Sequence, residues 1–157
     1  MTFLNLVVRK AVREDLADIK NFNQKMAFET EGIYLDEETL ASGIEALFDN
    51  SDRGFYLVSE DQEFGTLGTL AITFEWSDWR NGMFWWIQSV YVKKEFRRQK
   101  VFRQMYKEVK SLAKKNSFAC GVRLYVEKTN LTAQRTYAQL GMKETHYQMW
   151  EESFDPT

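Results

Sequence analysis

Two patterns of hydrophobic spacing alternate along this chain, one typical of helices and one typical of strands. Helical spacing predicts four helices, over residues 12–31, 36–50, 101–116 and 131–140. Runs rich in β-branched and aromatic residues, bounded by turn signals, predict six strands, over residues 4–9, 55–59, 64–74, 83–92, 121–127 and 143–151. The predicted order of elements is therefore β-α-α-β-β-β-α-β-α-β.

The connections between these elements predict how the strands pair. A short polar loop between residues 59 and 64 is typical of an antiparallel hairpin. The helix over residues 101–116 joins two strands in the manner of a crossover, which requires those strands to run parallel. The fold class is therefore α/β, more narrowly an α+β arrangement around a central mixed sheet.

The length and composition favour a single domain over residues 1–157. The chain is 44% hydrophobic and 15% aromatic, which argues against disorder. No apolar run has the length of a membrane span and the start lacks a secretion signal pattern, so we expect a cytoplasmic protein without membrane contacts. Cys120 is the one cysteine. We expect it to be buried and inert, and we expect no metal site.

The charges are separated along the sequence although the net charge is only -2. Residues 93–115 contain ten Lys or Arg and two acidic residues, so this segment carries +8 and the remainder carries -10. Such polarity favours an anionic ligand at one end and a cationic ligand at the other. It disfavours a general nucleic-acid binder, because the acidic remainder would repel a long polyanion.

Residues 87–110 run from an apolar strand pattern through a basic turn into an amphipathic helix pattern. The first turn of a helix presents backbone N–H groups without intrahelical acceptors and carries a partial positive charge. A strand that leads through a basic turn into a helix is therefore suited to bind phosphate or diphosphate. An ordinary strand, turn and helix with solvated charges is the alternative that these residues alone leave open.

Two motifs, taken with the order of elements, resemble the GNAT superfamily of acyl-coenzyme A dependent N-acetyltransferases. One is SVYVKKEFRRQKVF, which follows the family's pattern of a strand entering an Arg/Gln-x-x-Gly-x-Gly/Ala turn. The other is Asn-x-x-Ala-x-x-x-Tyr, present as Asn130, Ala133 and Tyr137 and followed by Leu-Gly-Met. The resemblance covers nearly the whole chain. It implies a GNAT-like fold in which two parallel strands splay apart.

The resemblance implies that residues of both motifs bind acetyl-CoA, the co-substrate. The backbone N–H of Val90 is expected to contact the thioester carbonyl, and neighbouring backbone groups are expected to pair with the pantetheine amides. Lys100 and Phe102 replace the family's two small residues, which adds positive charge but reduces the room near the diphosphate. The expected acetyl-CoA-binding residues are Val90, Tyr91, Val92, Arg97, Arg98, Gln99, Lys100, Val101, Phe102, Arg103, Asn130, Ala133 and Tyr137.

The resemblance also assigns the catalytic groups. Tyr137 is expected to be the general acid for the departing thiolate, since a phenol of pKa about 10 keeps its proton at neutral pH. Gln88 and Ser89 stand where some polyamine-acetylating relatives carry acids, and neither side chain can accept a proton at neutral pH. We expect them to hold a water that relays the proton. The remote acceptor stays open among Glu29, Glu31, Glu75 and Asp78, and the single histidine, His146, is disfavoured.

The acceptor is expected to bind between the segment over residues 28–36 and the loop over residues 75–82. Carboxylates among aromatic rings favour a protonated amine through charge pairing and cation–π contact. The expected acceptor is a primary amine of a small molecule or a peptide amino terminus, and a long polyamine is disfavoured. The expected acceptor-binding residues are Glu29, Glu31, Tyr34, Glu75, Trp76, Asp78 and Trp86.

Three functions remain in competition at this point. The first is an N-acetyltransferase that moves the acetyl group directly from acetyl-CoA to the amine. The second is a non-catalytic acyl-CoA-binding or partner-binding module with the same fold. The third and least favoured is RNA binding through the basic helix, which would require aromatic residues for stacking. Since relatives are often dimers, a homodimer also stays open.

Overall fold

The computed structural model describes residues 4–154, which divide into two compact units, residues 4–125 and residues 126–154. Strand β1 spans Val7–Lys10, a short 3₁₀ turn spans Arg13–Asp15, and helices α1 and α2 span Leu16–Glu31 and Glu37–Asp49. Strands β2, β3 and β4 span Gly54–Asp61, Gly65–Ser77 and Gly82–Val92, with a 3₁₀ turn at Asp78–Arg80. A 3₁₀ turn at Lys94–Phe96, helix α3 at Val101–Lys115 and strand β5 at Ala119–Leu124 complete the first unit, and helix α4 at Leu131–Gln139 lies in the second.

The five strands form one mixed sheet in the order β1-β2-β3-β4-β5. Each neighbouring pair is antiparallel except β4 and β5, which are parallel. The predicted hairpin between β2 and β3 and the predicted parallel crossover through α3 are both confirmed. The mixed α/β fold class is confirmed as well.

Helices cover both faces of the sheet because its side chains alternate in direction. On one face, Ile19 of α1 and Ile44 of α2 pack with Tyr56 and Ala71. The opposite face receives α3, whose Met105 is fully buried. Burial of an aliphatic or aromatic side chain stabilises the fold by about 1.5–3 kcal/mol, so this two-sided core holds the sheet rigid beneath any site on it.

The caps of the first two helices agree with their sequence. Asp36 precedes α2, and its carboxylate accepts a hydrogen bond from the Thr39 N–H at 2.8 Å. Helix α1 ends at Gly32, which adopts φ 68° in the left-handed region that favours glycine. These two caps set the ends of the short segment between α1 and α2.

Two sequence predictions are wrong. No strand forms over residues 143–151 within the described chain, although the residues there have strand propensity. A strand needs a hydrogen-bonded partner, which strand propensity alone does not supply. Cys120, expected to be buried, is exposed, because β5 is the outermost strand of the sheet.

Candidate active site

Strands β4 and β5 separate halfway along β4, after Ile87 and Leu124, at a point that we call the parting. Their parallel pairing runs from Met83 with Ala119 to Ile87 with Leu124, and β5 ends there. Strand β4 continues for five more residues to Val92, paired only with β3. The backbone of the second half of β4 is therefore unpaired by β5 on one side, which is the opening that the sequence resemblance implies.

A β-bulge lies at this parting. Gln88 pairs with Ala71 and Tyr91 with Thr69, so Ser89 and Val90 together oppose the single residue Leu70. Ser89 has φ 50°, in the left-handed region that serine rarely adopts. The bulge takes Val90 out of the regular ladder with β3.

Gln88 is oriented by the neighbouring strand. Its side-chain amide donates to the Thr73 hydroxyl at 2.5 Å. Gln88, Ser89 and Val90 are all half-buried. The two side chains predicted to hold a catalytic water thus lie beside the opening, and Thr73, absent from the sequence prediction, fixes one of them.

The turn after β4 has the backbone geometry of an anion site. Arg98 and Lys100 both adopt left-handed conformations, with φ 64° and 67°. Lys100 is the residue that precedes α3, and no side chain caps this helix end. Helical N–H groups in the first turn lack intrahelical acceptors, so this end is suited to bind an anion. Lys100 stands where the family pattern places its first small residue, whereas Arg98 does not, and Phe102, which replaces the second small residue, lies inside α3. Each left-handed position costs on the order of 1 kcal/mol for a residue other than glycine.

The side chains of the turn are exposed from Arg97 to Lys100, whereas Val101 is buried. Phe102 and Arg103 are half-buried in the first turn of α3, and the Phe102 ring lies 6.3 Å from that of Tyr106. The Gln99 amide donates back to the Glu95 carbonyl at 2.8 Å. The basic groups at positions 98 and 100 are therefore accessible to a ligand.

Glu29 joins α1 to this turn. Its carboxylate accepts a hydrogen bond from the Tyr91 hydroxyl at 3.1 Å and one from Arg97 Nη2 at 2.7 Å, and Lys94 Nζ lies 3.5 Å away. Arg97 Nε also donates to the Val92 carbonyl at 2.9 Å. Two residues predicted for different ligands, Glu29 for the acceptor and Arg97 for the coenzyme, are thus paired with each other.

These contacts shift two pKa values. Burial would raise the pKa of Glu29, but the hydrogen bonds from Arg97 and Tyr91 and the charges of Arg97 and Lys94 outweigh it, and the net pKa is lowered. Burial and the hydrogen bond to Glu29 raise the pKa of Tyr91. The carboxylate is consequently held ionised, which makes Glu29 a poor proton acceptor for the reaction.

Two of the predicted acceptor residues, Glu75 of β3 and Trp86 of β4, lie on one face of the sheet. The Trp86 ring lies 4.5 Å from the Tyr125 ring, and Trp86 pairs across the sheet with Arg123. Arg123 Nη1 donates to Glu75 at 2.5 Å. The Glu75 carboxylate, expected to attract a cationic amine, already has a cationic partner inside the protein.

The remaining predicted acceptor residues are exposed and spread apart in the chain. Trp76 is 56% exposed, and Asp78 lies in the 3₁₀ turn before β4. Tyr34 is 80% exposed and stacks on Phe28 at 5.2 Å, near the end of α1 that also carries Glu31. No hydrogen bond links these two groups within residues 4–154.

In the second unit, Asn130 caps α4, as one of the sequence interpretations requires. Its side chain accepts a hydrogen bond from the Ala133 N–H at 3.0 Å. Tyr137 is half-buried two turns later, and burial raises the pKa of its phenol. The phenol therefore stays protonated at neutral pH, as a general acid must.

Several side chains of this region were missed by the sequence analysis, chiefly Thr73, Phe84, Arg123 and Tyr125. The alternation in GVRLYV places Arg123 and Tyr125 on one face of a strand, which was an available signal. Only the register with β4 shows that this face carries Trp86.

The comparisons with known proteins agree with this geometry. The family model of the GNAT acetyltransferases matches residues 13–142. The chain belongs to the GNAT acetyltransferase family. It is thus an enzyme of the acyltransferase class, and the family uses acetyl-CoA as co-substrate.

Solved structures give the same result. A possible acetyltransferase from Clostridium difficile 630 is 41% identical, with a TM-score of 0.87, and the match covers 98% of this chain and 100% of that one. Glucosamine-6-phosphate N-acetyltransferase from Arabidopsis thaliana is 21% identical, with a TM-score of 0.73, over 96% of this chain and 99% of that one. A predicted acetyltransferase from Clostridium acetobutylicum, solved with acetyl-CoA, is 17% identical, with a TM-score of 0.75, over 94% and 96%. The last two likenesses show the fold alone. No functionally curated protein matches the sequence.

Two further observations concern metals and membranes. Among residues 4–154, no group of three or more His, Cys, Asp or Glu side chains is placed to hold a metal ion. In the same part of the chain, no helix combines the length and the apolar character needed to cross a membrane.

Proposed function

We propose that this GNAT enzyme transfers the acetyl group of acetyl-CoA directly to a primary amine of a small molecule or peptide, with both substrates bound at once. The observation that carries the proposal is the end of β4–β5 pairing at Ile87 and Leu124, beside a bulge and a cationic turn. Residues 1–157 act as one acetyltransferase domain in this proposal, and a cytoplasmic location stays a prediction from the sequence.

The chain offers separate groups for the two ends of the coenzyme. Unpaired backbone of β4 after Ile87 can pair with the pantetheine amides as an added strand would. The left-handed turn and the uncapped start of α3 suit the diphosphate, with the exposed Arg98 and Lys100 supplying charge. Arg103, on the same first turn, is assigned to the same anion.

The thioester supplies an activated carbonyl and a thiolate leaving group, and the protein needs to stabilise one charge and move two protons. The Val90 N–H, displaced from the β3–β4 ladder by the bulge, is assigned to the carbonyl oxygen. Tyr137 is assigned to protonate the thiolate, and its raised pKa keeps the proton available. Gln88, held by Thr73, and Ser89 are assigned to the water that takes the proton of the amine.

A thermal-shift titration with acetyl-CoA tests the binding step. A specific ligand stabilises the folded state by an amount that rises with the logarithm of its concentration, about 2.7 kcal/mol at a hundred times Kd. We expect a saturable upward shift with acetyl-CoA that S-acetylpantetheine, which lacks the diphosphate, reproduces only weakly. The proposal fails if acetyl-CoA gives no shift.

Thiol release across a panel of primary amines tests the transfer step. Tyr137→Phe should lower kcat by about a hundredfold, in the range expected for a general acid, while the acetyl-CoA shift persists. Tyr147→Phe, a change of the same kind at a side chain that is 68% exposed, should leave kcat unchanged. A shift with acetyl-CoA but no thiol release with any amine would favour the non-catalytic acyl-CoA-binding module instead.

A further inference from the structure

The face of the sheet that carries Glu75, Trp86 and Arg123 is called here the acceptor face. It presents an arginine where the sequence predicts a binding site for a cation. Two carboxylates of the predicted acceptor site are already paired with arginine, Glu29 with Arg97 and Glu75 with Arg123. At these two positions an acceptor amine would therefore meet neutralised acids rather than free ones. This reverses the polarity expected of the acceptor.

The Arg123 guanidinium is held in place by an aromatic ring. Its central carbon lies 3.5 Å from the centre of the Phe84 ring and 5.9 Å from that of Trp86. Stacking fixes the plane of the guanidinium, so little conformational freedom is left to lose on binding a ligand. The side chain nevertheless remains 29% exposed.

Most of the donors of Arg123 are unused. A guanidinium has five N–H donors, and within residues 4–154 Arg123 finds one acceptor, Glu75. Arg9, by contrast, is a structural arginine, whose donors reach Asp15, Glu60 and the Lys10 carbonyl. Arg123 therefore has the spare donors of a ligand-binding group, whereas Arg9, which is exposed to a similar degree, has none left.

A second guanidinium shares the same ring. The central carbon of Arg80, in the 3₁₀ turn before β4, lies 5.0 Å from the centre of the Phe84 ring. No carboxylate of residues 4–154 forms an ion pair with Arg80. The ionised groups that contact Phe84 or each other are thus two arginines and one glutamate, with a net charge of +1.

We propose that Arg123, assisted by Arg80, binds an oxyanion carried by the acceptor, so that the acceptor is an amine bearing a carboxylate or phosphate group. The inference rests on the proposed acetyl transfer and deepens it. Paired N–H donors of a guanidinium fit either oxyanion, and the two sources are separated below by the probes used.

The register of the strands gives the approximate length of this acceptor. Phe84 and Gln88 lie on the same face of β4 and are four residues apart, about 13 Å along the strand. Because both side chains can lean along the strand, the amine and the oxyanion of the acceptor would be separated by several bonds. An ω-amino acid or an aminoalkyl phosphate matches this span better than an α-amino acid.

Matched acceptors of equal length test the proposal. The probes are 6-aminohexanoate, hexylamine and 1,6-diaminohexane, with a six-carbon aminoalkyl phosphate as the fourth. Thiol release should show kcat/KM at least tenfold higher for the acidic amines than for the diamine, since a charge-assisted hydrogen bond is worth about tenfold to a hundredfold in binding. The ratio between carboxylate and phosphate probes tells which oxyanion the site favours. A preference for the diamine would overturn the proposal.

Variants separate recognition of the oxyanion from general damage. Arg123→Gln should raise KM for 6-aminohexanoate by about tenfold or more and leave kinetics with hexylamine unchanged, and Arg80→Gln should act in the same direction but less strongly. Arg123→Lys should raise KM for 6-aminohexanoate less than Arg123→Gln does, because lysine keeps the positive charge but lacks the planar guanidinium with its paired donors. Arg13→Gln, at an exposed arginine paired with Asp49, is the control that should change neither probe. Equal losses for both probes in Arg123→Gln would contradict the proposal.

Equilibrium binding keeps this inference distinct from the proposed function. Calorimetry with 6-aminohexanoate and hexylamine requires no turnover, and the acid-bearing amine should bind at least tenfold more tightly, with the difference lost in Arg123→Gln. If no amine supports thiol release, the acetyl-transfer proposal fails. The difference in affinity between 6-aminohexanoate and hexylamine still shows whether the oxyanion site exists. Equal binding of the two amines to the unmodified protein would refute the oxyanion site alone.

Discussion

The two halves of strand β4 differ although they are one continuous strand. From Gly82 to Ile87 the strand is paired on both sides, by β3 and by β5. From Gln88 to Val92 it is paired on one side and interrupted by a bulge. The first half is built like a core strand, and the second leaves its backbone unpaired on the side of β5.

Backbone strain follows the same division. Four residues other than glycine have positive φ within the described chain, Asn81, Ser89, Arg98 and Lys100. Three of them lie after Ile87, in the bulge and the turn before α3, and none lies in the doubly paired half. Strained backbone persists only where the surrounding structure holds it, and it collects at sites of function. The doubly paired half of β4 and α3 are the rigid elements that hold it here.

The largest expected effect is a loss of stability from the doubly paired half. Ile87 is 3% exposed, and Ile87→Ala should lower the free energy of unfolding by about 2–5 kcal/mol, through lost burial and the cavity left behind. Val90→Ala, at a half-buried residue of the bulge, should cost clearly less. Urea denaturation of both variants measures the two changes in the free energy of unfolding. Equal losses would show that the two halves of β4 contribute equally to stability.

An intermediate effect is expected at the turn before α3. Lys100→Gly should raise the free energy of unfolding by about 1 kcal/mol, because glycine adopts φ 67° without the cost that lysine incurs. Lys107→Gly, at an exposed position inside α3, should lower it by about the same amount. Thermal unfolding of the two variants decides the matter. Destabilisation by both would mean that the turn stores no strain.

The smallest expected effect concerns pH and the link between α1 and the second half of β4. The pKa of Glu29 is lowered in the folded state, so its contribution is present above the ordinary value of 4.5 and is lost as pH falls through the lower folded value. The contribution should be about 1 kcal/mol or less, as for other partly exposed ion pairs. The stability difference between the protein and Glu29→Gln should therefore be constant from pH 6 to 8 and shrink below pH 4.5.

Denaturation at several pH values measures that difference, and Glu31→Gln is the matched control on the same helix. Glu31 forms no ion pair within residues 4–154, so Glu31→Gln should leave the free energy of unfolding nearly unchanged at neutral pH. A Glu29→Gln difference that stays constant down to pH 3 would contradict the assigned ion pairs.

Much of the fold was predictable because it depends on local patterns. Helical spacing located all four helices, and the crossover through α3 required β4 and β5 to be parallel. The strand predicted over residues 143–151 failed for the opposite reason. Its residues have the propensity, but a strand exists only with a partner, and propensity carries no information about the partner.

The candidate site was predictable where it depends on backbone and on a motif. The basic turn and the cap formed by Asn130 both follow from short stretches of sequence, whereas the bulge in β4 was not predicted. The partners of the charged side chains could not be predicted from such short stretches. Glu29 and Arg97 are 68 residues apart, and Glu75 and Arg123 are 48 apart.

The sequence by itself determined the four helices of the described chain, the parallel crossover and the cationic turn, because helical spacing, the length of a connection and a run of basic residues are all properties of one continuous stretch of chain. Only the tertiary structure decided which carboxylates are neutralised and which arginine keeps its donors. Ion pairs between distant segments depend on sheet register, since a shift of one residue turns every side chain of a strand to the other face. That register places Arg123 over Phe84 and within reach of Glu75.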